Sequence, residues 1–201
     1  MQRTVRRSGF TLLELMIAIV VIGVILAVAT PSIKRYLESQ RLRSVSGELM
    51  VDLQFARTEA VARSRVVGIR LDRDADRTCY TVAAYSGNNC LAPIDARMAS
   101  CDCRLGIGAA CTGNWTELKT VSVPVGTAVR VDYIGITQSV AFDPISGQLN
   151  YCNPNMVGGT PPAFRTNITG ASTAAMQLEI APAGRPRLCV MSGKVSGVQA
   201  C

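Results

Sequence analysis

Gly184-Arg185-Pro186-Arg187 places two guanidiniums two residues apart, so in an extended backbone both face the same side. Cations so spaced can each meet a phosphate oxygen, in contacts that ignore base sequence and weaken as salt rises. Gly184 permits a sharp turn ahead of the pair, and Pro186 removes a ladder donor, which suits a sheet edge or loop. Arg165 and Lys194 extend the patch if the fold brings them near. The competing use of the pair is a solvated strand face, or pairing with a carboxylate such as Glu179 across a sheet. No aromatic platform lies close by, which argues against sequence-specific capture of single strands.

Other reactive groups are less informative. Asp72-x-Asp74-x-Asp76 starts like a calcium loop, but Arg73 and Arg77 intervene and neither the Gly nor the downstream Glu follows at the required spacing. The chain has no histidine, so neither a triad nor an imidazole base is available; we expect no enzyme activity, no cofactor and no metal. Cys79, Cys90, Cys101, Cys103, Cys111, Cys152, Cys189 and Cys201 are an even set, as full disulfide pairing requires. Such a set points to the periplasm or the cell exterior, and it leaves roughly a hundred connectivities open. A zinc reading of Cys90, Cys101, Cys103 and Cys111 fails on spacing, since a C-x-C pair is not a structural zinc knuckle.

Glu14 is the remaining unusual group, a lone carboxylate in the apolar run Phe10 to Thr30. About 21 helical residues span roughly 30 Å, enough to cross a bilayer core. A carboxylate there costs about 3 kcal/mol and needs a partner. If the chain is cut between Gly9 and Phe10, the new ammonium on Phe10 lies four residues from Glu14. In a stack of related subunits, the Glu14 of one can then meet the Phe10 amine of the next, and insertion cost becomes a drive to assemble. Arg3, Arg6 and Arg7 would sit on the cytoplasmic side. Lys34, Arg35, Arg41 and Arg43 after the span oppose that orientation. The net charge of +7 falls to +4 when the three leader arginines are lost.

Two kinds of element must position these groups. From Ser32 to about Ser64 apolar residues recur with helical spacing at Ile33, Leu37, Val45, Leu49, Leu53, Ala56 and Ala60, so the anchor continues as a long amphipathic helix able to hold a sheet. Met50, Val51, Phe55 and Val61 lie off that stripe and suggest that part of the helix is covered on a second side, by the sheet's edge or by another subunit. Pro31 predicts a kink. Strand-like runs follow at Val66 to Leu71, Cys79 to Ala84, Leu118 to Val123, Val129 to Tyr133, Ser139 to Phe142, Met176 to Ile180 and Pro186 to Met191, as an antiparallel sheet. Ser86 to Trp115 and Asn153 to Gly170 fit neither pattern and are read as long loops, the first held by disulfides in place of a core. The fold class is therefore α+β. The expected organisation is a leader at 1–9, a membrane and assembly helix at 10–30, its amphipathic continuation at 31–65, and a periplasmic sheet domain at 66–201.

Gly9-Phe10-Thr11-Leu12-Leu13-Glu14-Leu15 resembles the class III leader of type IV pilins and type II secretion pseudopilins. That resemblance implies cleavage after Gly9 by a prepilin peptidase, N-methylation of Phe10, and assembly roles for Glu14 and Pro31. Ala56-Arg57-Thr58-Glu59-Ala60 resembles the ARxEA-type helix end of the GspH/FimT branch, and Phe142-Asp143-Pro144-Ile145-Ser146-Gly147 its F-x-P-x-G turn with one extra residue. Arg57, Glu59 and Arg63 read as residues that shape the helix end, Glu59 and Arg63 as an i,i+4 pair. Gly184-Arg185-Pro186-Arg187 is similar to the GRxR motif of FimT-type minor pilins, which implies contact with double-stranded DNA during natural transformation. The resemblance thus implies a minor pilin, with the inner membrane and other major and minor pilins as partners. The alternative is a GspH-type pseudopilin of a type II secretion system.

Overall fold

Thr11 starts the first helix: its Oγ1 accepts from the Glu14 amide at 3.2 Å, one half of a capping box. Glu14 therefore lies in the first turn, where a carboxylate also complements the helix dipole. The computed structural model describes residues 11–87, 94–124, 126, 128–134, 138–150, 163–171, 174–193 and 195–201, with the Pro31 side chain excepted. The expected cleavage and methylation positions Gly9 and Phe10, together with Cys90, Cys152 and Lys194, lie outside the described residues. Two compact units divide the chain, one up to Leu37 and one from Glu38 to Cys201.

The helix α1 covers Leu12–Arg63 and continues through Pro31. Up to Val28 its large apolar side chains are exposed, and its most apolar window, of mean hydropathy 3.0, is long enough to cross a membrane. Ile33 and Leu37 are exposed too, so the apolar stripe predicted to hold a sheet takes effect only from Leu42. Leu42, Leu49, Leu53, Ala56 and Ala60 are fully or almost fully buried, while Met50 packs at the edge of the same core. Among the described residues, cover on the second side is limited to Met50, while Val51, Phe55 and Val61 stay exposed. Ser64 ends the helix in a left-handed conformation at φ 51°, with Arg65 N–H donating to the Ala60 carbonyl at 3.1 Å, a Schellman-type stop usually given to glycine.

Two four-stranded antiparallel sheets follow where one was expected. The strands are β1 (Val67–Arg73), β2 (Arg77–Tyr85), β3 (Trp115–Pro124), β4 (Val129–Tyr133), β5 (Ser139–Phe142), β6 (Phe164–Gly170), β7 (Ala175–Ile180) and β8 (Pro186–Ser192). Their orders are β3-β2-β1-β5 and β4-β6-β7-β8. Ile69, Tyr80, Val140, Phe142, Ile168, Leu178 and Ile180 from both sheets share one core with α1. The strand β6 corrects the reading of 153–170 as a loop. Its inward residues are Phe164, Thr166 and Ile168, and the middle one is polar but satisfied, since Thr166 Oγ1 donates to the Asp132 carbonyl at 2.8 Å.

The cysteine-rich segment also departs from expectation, because it builds a core of its own. A short helix α2 (Ile94–Arg97) and two 3-10 turns at Met98–Ser100 and Cys103–Leu105 seat Ile94, Met98, Cys101 and Trp115 against Ala83 and Ala141, on the outer face of the first sheet. The seven central residues of β2 are consequently all buried. Gly68 makes the close approach possible, since a Cβ there would meet the Met98 sulfur at 2.5 Å. Cys79–Cys103 and Cys101–Cys111 staple this cap, and Cys189–Cys201 closes the C-terminal segment onto β8. Three of the four cysteines weighed for zinc are thus disulfide sulfurs.

The carboxylate of Glu117 holds the far end of the cap, accepting from the amides of Gly108 and Ala110 at 3.0 Å and from Thr120 Oγ1 at 2.6 Å. Burial pushes Glu117 up, but these three donors outweigh it and leave its pKa below the ordinary 4.5. Asp102 is lowered by its bond from Arg104, and Asp143, despite some burial, by donors from Ser146 and Ile145. Folded-state values below the unfolded ones mean stability that is present above the ordinary carboxylate range and lost as pH falls through the lowered values. Asp72 has the opposite sign, raised by burial against the pull of Arg70, and so opposes the trend. The melting temperature is expected to fall on acidification below about pH 4.5, and less steeply for Glu117→Gln. Thermal melts between pH 6 and 3 test this, and parallel curves for the two proteins would remove Glu117 from the account.

Candidate nucleic-acid interface

The second sheet alternates its residues between core and solvent, which decides where the sequence-predicted arginines go. On β7, Met176, Leu178 and Ile180 are buried, so Gln177 and Glu179 face outward. Glu179 pairs in register with Arg165 of β6 on one side and with Arg187 of β8 on the other. The three form one row across the outer face.

Arg185 precedes β8 in the tight turn from Ala181 to Arg185, where the Gly184 amide donates to the Ala181 carbonyl at 2.8 Å and the Ala181 amide to the Arg185 carbonyl at 3.2 Å. Arg185 and Arg187 are both exposed, and neither has a carboxylate within ion-pair distance among the described residues. Arg165 lies in the same row but is already engaged, with Nη2 at 3.4 Å from Glu179 Oε1. The carboxylate weighed as a partner for the arginine pair is therefore held by Arg165. Beside Arg187 a shallow depression of about 290 Å³ is lined by Gln177, Glu179, Cys189 and Cys201.

Gly184 is buried at φ 76°, and a Cβ on it would lie 2.3 Å from the Gly147 carbonyl oxygen. The turn ahead of the arginines thus rests directly on the Asp143 to Gly147 turn. That second turn is fixed from within, as Asp143 Oδ1 accepts from the amides of Ile145 and Ser146 at 3.0 and 2.8 Å. Arg57 fixes it from α1, its Nε donating to the Gly147 carbonyl at 2.9 Å. Sequence reasoning gave Arg57 and Glu59 the role of shaping the helix end; Glu59 does pair with Arg63, but Arg57 reaches across to the turn. The available signal was the co-occurrence of the helix-end and turn motifs, each with a residue able to bond the other.

Other clusters offer less. Asp72, Asp102 and Cys103 lie close enough to suggest a metal, yet Cys103 is in a disulfide, Asp72 is bonded by Arg70, and Asp102 by Arg104. Asp74 is engaged by the amides of Asp76 and Arg77 at 2.9 and 2.8 Å, closing the β1–β2 turn. An open groove of about 640 Å³ along β3 contains Glu117, whose carboxylate is already filled by donors from the chain.

Comparison with known proteins agrees with this architecture. Residues 5–30 match the prokaryotic N-terminal methylation motif, and residues 46–184 match the type II transport protein GspH family. The type IV major alpha-pilin of Moraxella bovis is 46% identical over 43 residues, which is 21% of this chain and 27% of that relative's length. The fold is similar to that of the Pseudomonas aeruginosa type IV minor pilin FimU, with a TM-score of 0.50 and 18% identity, covering 80% of this chain and 98% of that one. At this identity the likeness is one of fold.

Proposed function

The chain belongs to the type II transport protein GspH family, and from that premise we propose that it is a minor pilin of a type IV pilus that also contacts duplex DNA through Arg185 and Arg187. Prepilin peptidase would cut after Gly9, Phe10 would be methylated, and the apolar part of α1 would hold the subunit in the inner membrane before assembly. Glu14 would then meet the Phe10 amine of a neighbouring subunit. The role is structural rather than catalytic, with the sheets as a periplasmic domain. Pilus initiation or a place at the tip fits a low-abundance subunit of this kind.

The observation that carries the DNA half is the arginine pair itself, both members exposed and with no carboxylate in ion-pair range among the described residues. Arg165 stands by on the same face, restrained by Glu179. The family description favours a second reading, a pseudopilin of a type II secretion system whose cargo is protein. The two differ in where the matured chain goes, into sheared surface pili or into a periplasmic piston.

The test is a titration of the matured full-length chain, in detergent micelles with disulfides formed, against duplex DNA between about 50 and 200 mM salt. Two phosphate contacts predict an affinity that falls about tenfold over this range. Binding insensitive to salt, or none at 50 mM, would withdraw the DNA half and leave the pilin and pseudopilin readings to localisation in cells.

A further inference from the structure

We propose that Arg57 is a positioning residue for the Arg185–Arg187 pair, acting through the Gly147 carbonyl. The inference rests on the DNA reading for its functional consequence, but not for its geometry. Arg57 is half-buried on the last turns of α1 and donates from Nε to the Gly147 oxygen at 2.9 Å. That oxygen is the atom against which Gly184 packs, close enough that any side chain at 184 would collide with it. The neighbouring Leu149 amide donates to the Pro182 carbonyl at 3.0 Å, so the two turns are joined at a second point. A line of direct contacts therefore runs from the helix to one turn, from that turn to the next, and ends at the residue before Arg185.

The chemistry favours a cation at the head of this line. Gly147 is buried, and a charged donor fixes its carbonyl more firmly than a neutral one would. With Arg57 removed, the oxygen keeps its place in the turn but loses the bond that ties the turn to the helix. The Ala181 to Arg185 turn then rests on a surface no longer tied to α1, and the two guanidiniums sample a wider range of separations. Phosphate contacts made by a pair held at one spacing suffer from that loss of order.

Arg57→Ala and Arg57→Lys in the matured full-length chain separate this from a general effect on folding. Hydrogen exchange of the Gly184 and Ala181 amides is expected to speed up about tenfold in Arg57→Ala, with the β6–β7 amides unchanged and protection restored in Arg57→Lys. Duplex DNA binding is expected to weaken about tenfold in Arg57→Ala, with a salt slope lower by about one. In an Arg185→Ala background the same change is expected to have little further effect, because both substitutions remove one arrangement.

Unchanged exchange in the 181–185 turn, exchange raised throughout the sheet, or equal binding losses with and without Arg185 would each overturn the inference. If the unaltered chain binds no DNA, the DNA half of the proposed function fails, and the exchange measurement still decides whether Arg57 positions the turn.

Discussion

Replacing Asp52 with alanine is expected to lower the stability of the globular unit by about 3 kcal/mol, toward the low end of what breaking a buried ion pair costs. Asp52 lies on the buried stripe of α1, only 3% exposed, and its two oxygens are taken by different strands. Oδ2 accepts from the Tyr80 hydroxyl of β2 at 2.7 Å, and Oδ1 from Lys119 Nζ of β3 at 2.8 Å. One carboxylate thus ties the helix to two neighbouring strands. Without it the buried Tyr80 phenol has no acceptor, a loss of about 1–3 kcal/mol. Lys119 is less costly to strand, because its side chain is 39% exposed and can turn to water. Burial, followed by the bond to Asp52, pushes the Tyr80 hydroxyl well above the ordinary tyrosine value, so the phenol remains a donor throughout the working range.

The expected order is Asp52→Ala largest, Asp52→Asn next because the amide oxygen can keep the Tyr80 bond, and Tyr80→Phe smallest at about 1 kcal/mol. Denaturant unfolding of the three variants measures the order, and an Asp52→Ala value within about 0.5 kcal/mol of the unaltered protein would mean that water replaces the carboxylate at no cost.

Asp52 also shows why some of this molecule was legible in advance and some was not. A helix announces itself through apolar residues three and four apart, and α1 was readable from Leu49, Leu53, Ala56 and Ala60. A carboxylate at 52, on the same stripe, was a visible exception, but its partners lie 28 and 67 residues further on, and nothing local names them. Seven strands carried enough β-branched and aromatic residues to be found. Phe164–Gly170 did not, because Thr166, Asn167, Thr169 and Gly170 are equally the residues of a loop, and only the bond from Thr166 to Asp132 makes the inward threonine acceptable.

The division into two sheets was hidden for a similar reason, since β5 pairs with β1 across about seventy residues of sequence. In the cysteine-rich segment Ile94, Met98 and Trp115 have no period, and it is the fold and its disulfides that gather them into a core. The arginine motif was legible as chemistry. Its setting, with Arg165 tethered and Gly184 resting on Gly147, depended on registers that no short window contains.

Those registers set the second large effect, on DNA binding. Alanine at both Arg185 and Arg187 is expected to weaken duplex binding about 60-fold near 0.1 M salt and to lower the salt slope by nearly two, the values for two phosphate contacts. Glu179→Gln should act in the opposite direction. Glu179 sits between Arg165 and Arg187, with neighbouring strands about 4.8 Å apart, so it would repel any phosphate that Arg187 attracts.

Removing that charge is worth about threefold at a separation of 6–7 Å in water, and it releases Arg165 for a further contact worth about eightfold near 0.1 M salt, for a total of about 20-fold tighter binding and a steeper salt slope. Folding should be indifferent to the change, because the Arg165–Glu179 pair is solvent-exposed and such pairs contribute little. A gain in affinity without a change in melting temperature therefore isolates the electrostatics of this face. If Glu179→Gln leaves the affinity and slope as they were, the row on the outer face is not where the duplex lies, whatever Arg185 and Arg187 do.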